Sequence, residues 1–365
     1  MAGGEQEGGG LEAPAGGGPA SEPAQGASGG APEDPRVDLV FEGGGVKGIG
    51  LAGAFGELWE RGYRPQCAAG TSAGAITAAL VAAGYSGPQI QEIVLREMKF
   101  ERFEDPSFWD HFGVAGDMVE FLKARGMHSG DYFLDWMREK LKEAGKVKFG
   151  DLRDEQATNE RRRYTLQVIA SDLSARSMLV LPRDAAQLGI DDPDELEIAE
   201  AVRMSMSIPV FFKPVLRKDG QGRTHTIVDG GLLSNYPIWL FDSPPGSRPR
   251  FPTFGMLLVA PNQADPLLPA PAADAPLPSV APPVDFAKAI VETMMEAHDR
   301  LYVEAANFAR TIAIPTLGVR TTQFDIDEET ATKLFDSGRQ AAEEFLSGWS
   351  FRAYLEEFRD GTNGS

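Results

Sequence analysis

Residues 37–41 form a short apolar run, Val37, Leu39, Val40 and Phe41, that stops at the cluster Gly43-Gly44-Gly45. Apolar positions at Leu51, Ala54, Phe55 and Leu58 then recur at helical spacing and end at Gly62. A second short run, 66–69, leads into Gly70-Thr71-Ser72-Ala73-Gly74, and the apolar segment behind it predicts a helix over 75–83. Strand, tight turn and helix, twice in succession, is the pattern of an α/β fold with parallel strands. Helical spacing continues over 88–98 and 130–144, a strand is predicted over 164–170, and strand-like runs follow at 177–181, 226–228 and 254–259.

Two stretches break the pattern. Residues 1–35 hold 11 Gly, 7 Ala, 5 Pro and six acidic residues, with no aromatic or β-branched side chain. Such a segment buries too little apolar area to offset its ordering entropy, so it reads as a disordered tail. Residues 261–285 carry eight prolines and read as an extended, mobile loop. Beyond it, long helical patterns over 286–310 and 328–346 are separated by the short run 311–314. The expected organisation is a tail (1–35), one α/β domain (36–260), the proline-rich loop (261–285) and a C-terminal helical part (286–365) packed back on that domain.

Charge and composition narrow the function. The chain of 365 residues has 35 Lys and Arg against 54 Asp and Glu, a formal net charge of −19. That is a poor match to nucleic acid, whose phosphates need clustered cations, and it weakens attraction to anionic lipid. The single cysteine, Cys67, excludes an intrachain disulfide and any zinc site built on two cysteines. No apolar run reaches the ~18–20 residues of a membrane-spanning helix. No Lys or Arg precedes Arg36, so the N-terminus does not read as a secretory signal, and the expected location is the cytoplasm.

The candidate chemistry sits in the turns. Gly70-Thr71-Ser72-Ala73-Gly74 fits G-x-S-x-G, a nucleophile elbow in its strand–turn–helix setting. The helix behind it aims N–H groups and a positive dipole end at the same spot. Gly43-Gly44-Gly45-Val46-Lys47-Gly48 also matches G-x-G-x-x-G, but the next strand delivers a serine elbow in place of the acidic residue that a dinucleotide site asks for. A phosphate-binding P-loop fails too, since no Gly-Lys-Ser/Thr follows at the required spacing. The run is thus a candidate oxyanion hole, with N–H groups at a helix start. Lys47 reads most simply as a solvated side chain, with a supporting charge near the oxyanion as the alternative.

A serine nucleophile needs a base. The histidines are His111, His128, His225 and His298, and only His298 follows the strongest acid candidate in the order that an α/β-hydrolase triad requires. It lies mid-helix in the pattern, where a surface or packing role is expected. The better base is Asp229, at the end of a strand with Gly230 and Gly231 behind it.

Together, Gly43–Gly48, Gly70–Gly74 and Asp229-Gly230-Gly231, in that order, resemble the patatin-like phospholipases. Asn235-Tyr236-Pro237, Ala170-Ser171-Asp172-Leu173 and Ser205-Met206-Ser207-Ile208-Pro209 also look like segments of that family, and the resemblance covers roughly 37–260. It implies a three-layer α/β/α sandwich with a mainly parallel central sheet and C-terminal helices. It also implies a lipid acyl hydrolase with a Ser72–Asp229 dyad, no catalytic histidine, and an oxyanion hole drawn from Gly43, Gly44, Gly45, Lys47 and Gly48. Gly70, Gly74, Gly230 and Gly231 would support the two motifs. No cofactor or metal is expected, the partner is a lipid or other acyl ester met transiently at a membrane or lipid aggregate, and a non-catalytic lipid-binding protein on the same fold is the alternative. The aromatic stretch 100–112, including Phe108 and Trp109, is expected to form an apolar entrance or lid, or else core; Arg161-Arg162-Arg163 reads as a solvated loop, with phosphate recognition as the alternative.

Overall fold

The computed structural model describes residues 32, 34–98, 130–157, 159–244, 247–260, 293–294 and 305–359. The expectations for most of the tail, the aromatic stretch 100–112, the proline-rich loop, His111, His128 and His298 lie outside these residues.

Eight strands form one mixed sheet: β1 (Arg36–Phe41), β2 (Arg64–Thr71), β3 (Leu166–Asp172), β4 (Ser177–Leu181), β5 (Val215–Lys218), β6 (Thr224–Asp229), β7 (Thr253–Val259) and β8 (Thr311–Pro315). Their order is β5-β6-β3-β2-β1-β7-β8, with β4 also paired to β3. The pairs along β3-β2-β1-β7-β8 are all parallel, while β4, β5 and β6 join by antiparallel pairing. Among the described residues seven α-helices of six residues or more accompany the sheet: α1 (Ile49–Glu60), α2 (Ala73–Ala82), α3 (Gly87–Glu92), α4 (Asp131–Glu143), α5 (Ile198–Ser205), α6 (Glu328–Gly348) and α7 (Phe351–Phe358). The architecture is therefore α/β, as the alternation of strand and helix patterns predicts.

The central strands read as near-continuous apolar runs because both faces are covered. Val37, Leu39 and Phe41 of β1 enter the large core with Leu51 and Phe55 of α1 and Phe335 of α6. On the other face Val40, Ala69 and Ile169 pack against Leu240 and Phe241 of a 3₁₀ turn, Ile238–Phe241. The start of α6 is well marked: the Asp327 side chain accepts from the Thr330 N–H at 2.8 Å, and Glu328 and Glu329 complement the dipole in the first turn.

Three elements differ from the sequence expectation. The run at 311–314 is strand β8, parallel to β7 at the sheet edge. β5 has only four residues and ends in Arg217 and Lys218, so pairing with β6 and not apolar alternation defines it. Helix α5 spans only two turns, too short for its periodicity to stand out in the sequence. The arginine run is split as well: Arg162 turns inward to form an ion pair with Asp38, a buried carboxyl on β1 that burial pushes up to about 6. It is therefore not part of a wholly solvated loop.

The register along β3 positions the site. Val168 and Ile169 pair with both β2 and β4, and Ala170, Ser171 and Asp172 pair with both β4 and β6. A strand has two edges, so β2 and β6 share the edge opposite β4 and meet there end to end. Thr71 lies beside Ile169 and Asp229 beside the next residue, Ala170. The serine turn and the aspartate are thus brought to one seam in the sheet.

Candidate active site

Ser72 occupies the turn between β2 and α2 with φ 51° and ψ −123°, a backbone conformation that L residues other than glycine rarely adopt. The turn is so tight that its flanking glycines have no room for a side chain. A Cβ on Gly70 would lie 2.2 Å from the Gly74 carbonyl oxygen, and one on Gly74 would lie 2.3 Å from the Phe41 carbonyl oxygen. Two hydrogen bonds from distant segments hold the turn. The Ser72 N–H donates to Ser205 Oγ at 2.9 Å, and Thr71 Oγ1 donates to the Ser234 carbonyl at 3.0 Å.

Asp229 ends β6 and is fully buried. Its N–H donates to the Ser207 carbonyl at 2.9 Å, and its Oδ1 accepts from the Gly231 N–H at 2.7 Å. Oδ2 is buried with no hydrogen-bond donor among the described residues. Burial pushes the carboxyl up to about 7, opposed by the nearby Ser72 hydroxyl and by the Gly231 N–H. That value lies near neutrality.

The glycine run meets the same place. The Gly43 N–H donates to the Asn235 carbonyl at 3.0 Å, the Val46 N–H to Thr321 at 3.2 Å and the Lys47 N–H to Gly44 at 3.2 Å. The N–H groups of Gly44, Gly45 and Ala73 have no acceptor among the described residues. Gly45 has φ +54°, and a Cβ there would stand 2.0 Å from the Thr321 carbonyl oxygen, so only glycine fits without a shift. Gly48 and half-buried Lys47 complete the 3₁₀ turn Gly45–Gly48 that leads into α1. Asn235 fastens the run: its Nδ2 donates to the Gly43 carbonyl at 3.0 Å and to Glu42 Oε1 at 3.2 Å.

Ser72, Ala73, Gly45 and Gly48 line a cleft whose other lining side chains are mostly apolar, among them Ile76, Phe133, Ile208, Phe212 and Phe324. Phe324 comes from the C-terminal part, beyond the proline-rich stretch.

His225 is engaged elsewhere, with Nδ1 at 2.5 Å from Asp172 Oδ2 and Nε2 at 3.4 Å from Asp219 Oδ2. These carboxylates raise its pKa and staple the β5–β6 hairpin to β3. Among the described residues no group of three His, Cys, Asp or Glu side chains is placed to hold a metal, and no helix is long and apolar enough to cross a membrane.

Ser72, Asp229 and the glycine run, singled out in the sequence, are brought together. Sequence reasoning gave no role to Ser205, to the Ser207 carbonyl or to Asn235, although each lies in a segment noted for its family likeness. Nor did it find the apolar lining of the cleft, which is made of ordinary core-like side chains from segments far apart in the chain.

Comparison with known proteins bears on the family and the fold. The family model described as patatin-like phospholipase matches residues 39–242. The chain is 36% identical over 315 residues to the uncharacterized protein YqhO of Bacillus subtilis (strain 168), covering 86% of this chain and 99% of that one. It is 24% identical over 309 residues to an uncharacterized protein of Acanthamoeba polyphaga mimivirus, covering 82% and 90%. Among solved structures, VipD from Legionella pneumophila aligns with a TM-score of 0.50 at 20% identity, over 87% of this chain and 67% of that one, a likeness of fold. With more than half its length matched by the family model, the chain belongs to the patatin-like phospholipase family.

Proposed function

We propose that the protein is a lipid acyl hydrolase that cleaves carboxylic esters through Ser72 as nucleophile and Asp229 as base. The observation that carries this reading is the pairing of a strained, cleft-facing serine with a fully buried aspartate whose burial pushes it up to about 7. Ser72 Oγ attacks the ester carbonyl carbon while its proton passes to Asp229 Oδ2. The carbonyl oxygen, now negative, is held by the N–H groups of Gly44, Gly45 and Ala73, which have no acceptor among the described residues. Collapse of the tetrahedral adduct expels the alcohol, which takes the proton back from Asp229 and leaves an acyl group on Ser72. Water then attacks the acyl-enzyme with Asp229 again as base, releasing the fatty acid and restoring the serine.

The substrate class follows from the cleft, whose apolar walls suit an acyl chain and leave the polar part of the lipid outside. With a net charge of −19, contact with a bilayer would rest on apolar area more than on attraction to anionic lipid, and would be transient. The test is fatty-acid release from phospholipid vesicles together with covalent labelling by a fluorophosphonate. Ser72→Ala is expected to lose both. Undiminished labelling of that variant overturns the nucleophile assignment, and a folded wild-type protein that binds lipid but releases no fatty acid favours the lipid-binding alternative.

A further inference from the structure

The C-terminal end of α5 and the residues just after it touch both halves of the site without belonging to either motif. Ser205 Oγ accepts the Ser72 N–H at 2.9 Å, and two residues on the Ser207 carbonyl accepts the Asp229 N–H at 2.9 Å. The backbone of the nucleophile and that of the base therefore hang on one three-residue span. Ser205 and Ser207 are both fully buried. Behind them stands Arg203, itself buried, whose Nη1 donates to Ser207 Oγ and whose Nη2 donates to the Lys213 carbonyl at 2.9 Å. Ser207 Oγ in turn donates to the Arg203 carbonyl at 2.7 Å, so the span is closed on itself.

We infer that Ser205 is a positioning residue for the nucleophile, and that the Ser205–Ser207 span, braced by Arg203, sets the spacing of Ser72 and Asp229. The inference rests on the serine–aspartate reading above. Ser72 has to hold a backbone conformation that its own side chain disfavours, and the elbow offers its N–H no acceptor within the turn. Ser205 supplies that acceptor from another element. The bond also fixes where the serine hydroxyl points, because it pins the peptide plane on which the side chain is carried. Arg203 fits a bracing role: among the described residues it spends two donors on this span and the loop after it, and it stacks over Phe212 with 5.9 Å from its guanidinium carbon to the ring centroid. Phe212 is a wall of the cleft, so the brace joins the dyad to the surface that receives the acyl chain.

Removing the Ser205 hydroxyl leaves one buried N–H unpaired at a strained residue, a loss that corresponds to about a 10- to 100-fold fall in kcat if it is felt in the transition state. The experiment compares Ser205→Ala, Ser205→Thr and Ser205→Val with the wild type on a soluble short-chain ester, with active sites counted by fluorophosphonate titration. The expected result is a ~10- to 100-fold lower kcat per titrated site for Ser205→Ala, with KM within about twofold and recovery in Ser205→Thr. A structural role alone would lower the number of titratable sites and the melting temperature while leaving kcat per site unchanged, and that result overturns the inference. If the alanine protein does not fold, the threonine and valine proteins carry the test, since they fill the same space and differ in the acceptor; equal kcat in those two also overturns it. Ser72→Ala, run beside them, separates this inference from the one it rests on. Activity surviving in Ser72→Ala removes the dyad itself, whereas an inactive Ser72→Ala beside a fully active Ser205→Ala removes only the positioning role.

Discussion

Replacing Asp229 by Asn should make the protein more stable and nearly inactive, and the gain in stability should depend on pH in a defined way. Burial raises this carboxyl from 3.8 to about 7, so the folded protein holds a proton there that the unfolded chain releases. The stability associated with the protonated group is fully present below pH 3.8 and is lost as pH rises through about 7. At 1.36 kcal/mol per unit, the whole shift corresponds to about 4 kcal/mol as an upper bound. Between pH 5 and pH 8 the part still to be lost is about two units, or about 3 kcal/mol. Asparagine has no such penalty at any pH. Urea unfolding of the two proteins at pH 5 and pH 8 reads the difference directly, because every other titrating group is common to both. The gap in favour of Asp229→Asn is expected to widen by about 3 kcal/mol on going to pH 8, while ester turnover falls by ~10²–10⁴-fold. A gap that stays constant with pH, or a variant less stable than wild type at pH 8, would refute the idea that desolvation tunes this base.

The wild-type enzyme should show kcat/KM rising with pH through about 7, as Asp229 becomes able to accept a proton; a profile flat from pH 5 to 9 counts against it. Gly45→Ala places a Cβ 2.0 Å from the Thr321 carbonyl oxygen at a residue with φ +54°, and is expected to cost more than about 1 kcal/mol in urea unfolding and to lower kcat more than KM. Ile76→Trp fills the cleft beside Ser72 and should reduce turnover of long-chain relative to short-chain p-nitrophenyl esters by ~10-fold or more, measured as a ratio of kcat/KM. His225→Gln should leave ester turnover intact. The two carboxylates raise the folded pKa of His225, so its contribution is fully present below pH 6.5 and lost as pH rises through the raised value; melting temperatures should therefore fall more at pH 6 than at pH 9.

The parts of the site legible in the sequence are those where backbone geometry forces residue choice. Gly70 and Gly74 announce a turn too tight for side chains, and Gly45 a positive φ, so spacing alone locates the Ser72 turn and the N–H groups around it. Asp229 is visible for a related reason, as a lone acid at a strand end before two glycines. Ser205 and Asn235 act through hydrogen bonds to backbone far away in the chain, which leave no periodicity and no spacing to read. The long central strands follow from apolar runs, whereas β5, four residues long with a polar C-terminal half, exists because β6 pairs with it. The glycine run shows both cases at once: its place is evident from the sequence, but only the structure separates Gly43, whose N–H serves Asn235, from Gly44 and Gly45.

The seam where β2 and β6 meet along β3 also bears on when the enzyme can come alive. Ser72 leaves the ribosome long before Asp229, at ~5–20 residues per second an interval on the order of ten seconds or more. Until β6 is made there is no buried carboxylate beside the elbow, and until Asn235 follows there is nothing to fasten Gly43. β1, next to the elbow strand, waits longer still for its second neighbour, β7. A chain halted after β3 would carry the nucleophile yet be inert to a fluorophosphonate. If Ser72 and Asp229 act as proposed, ester cleavage would await the completed sheet, because a chain ending before β6 holds the serine turn without its carboxylate.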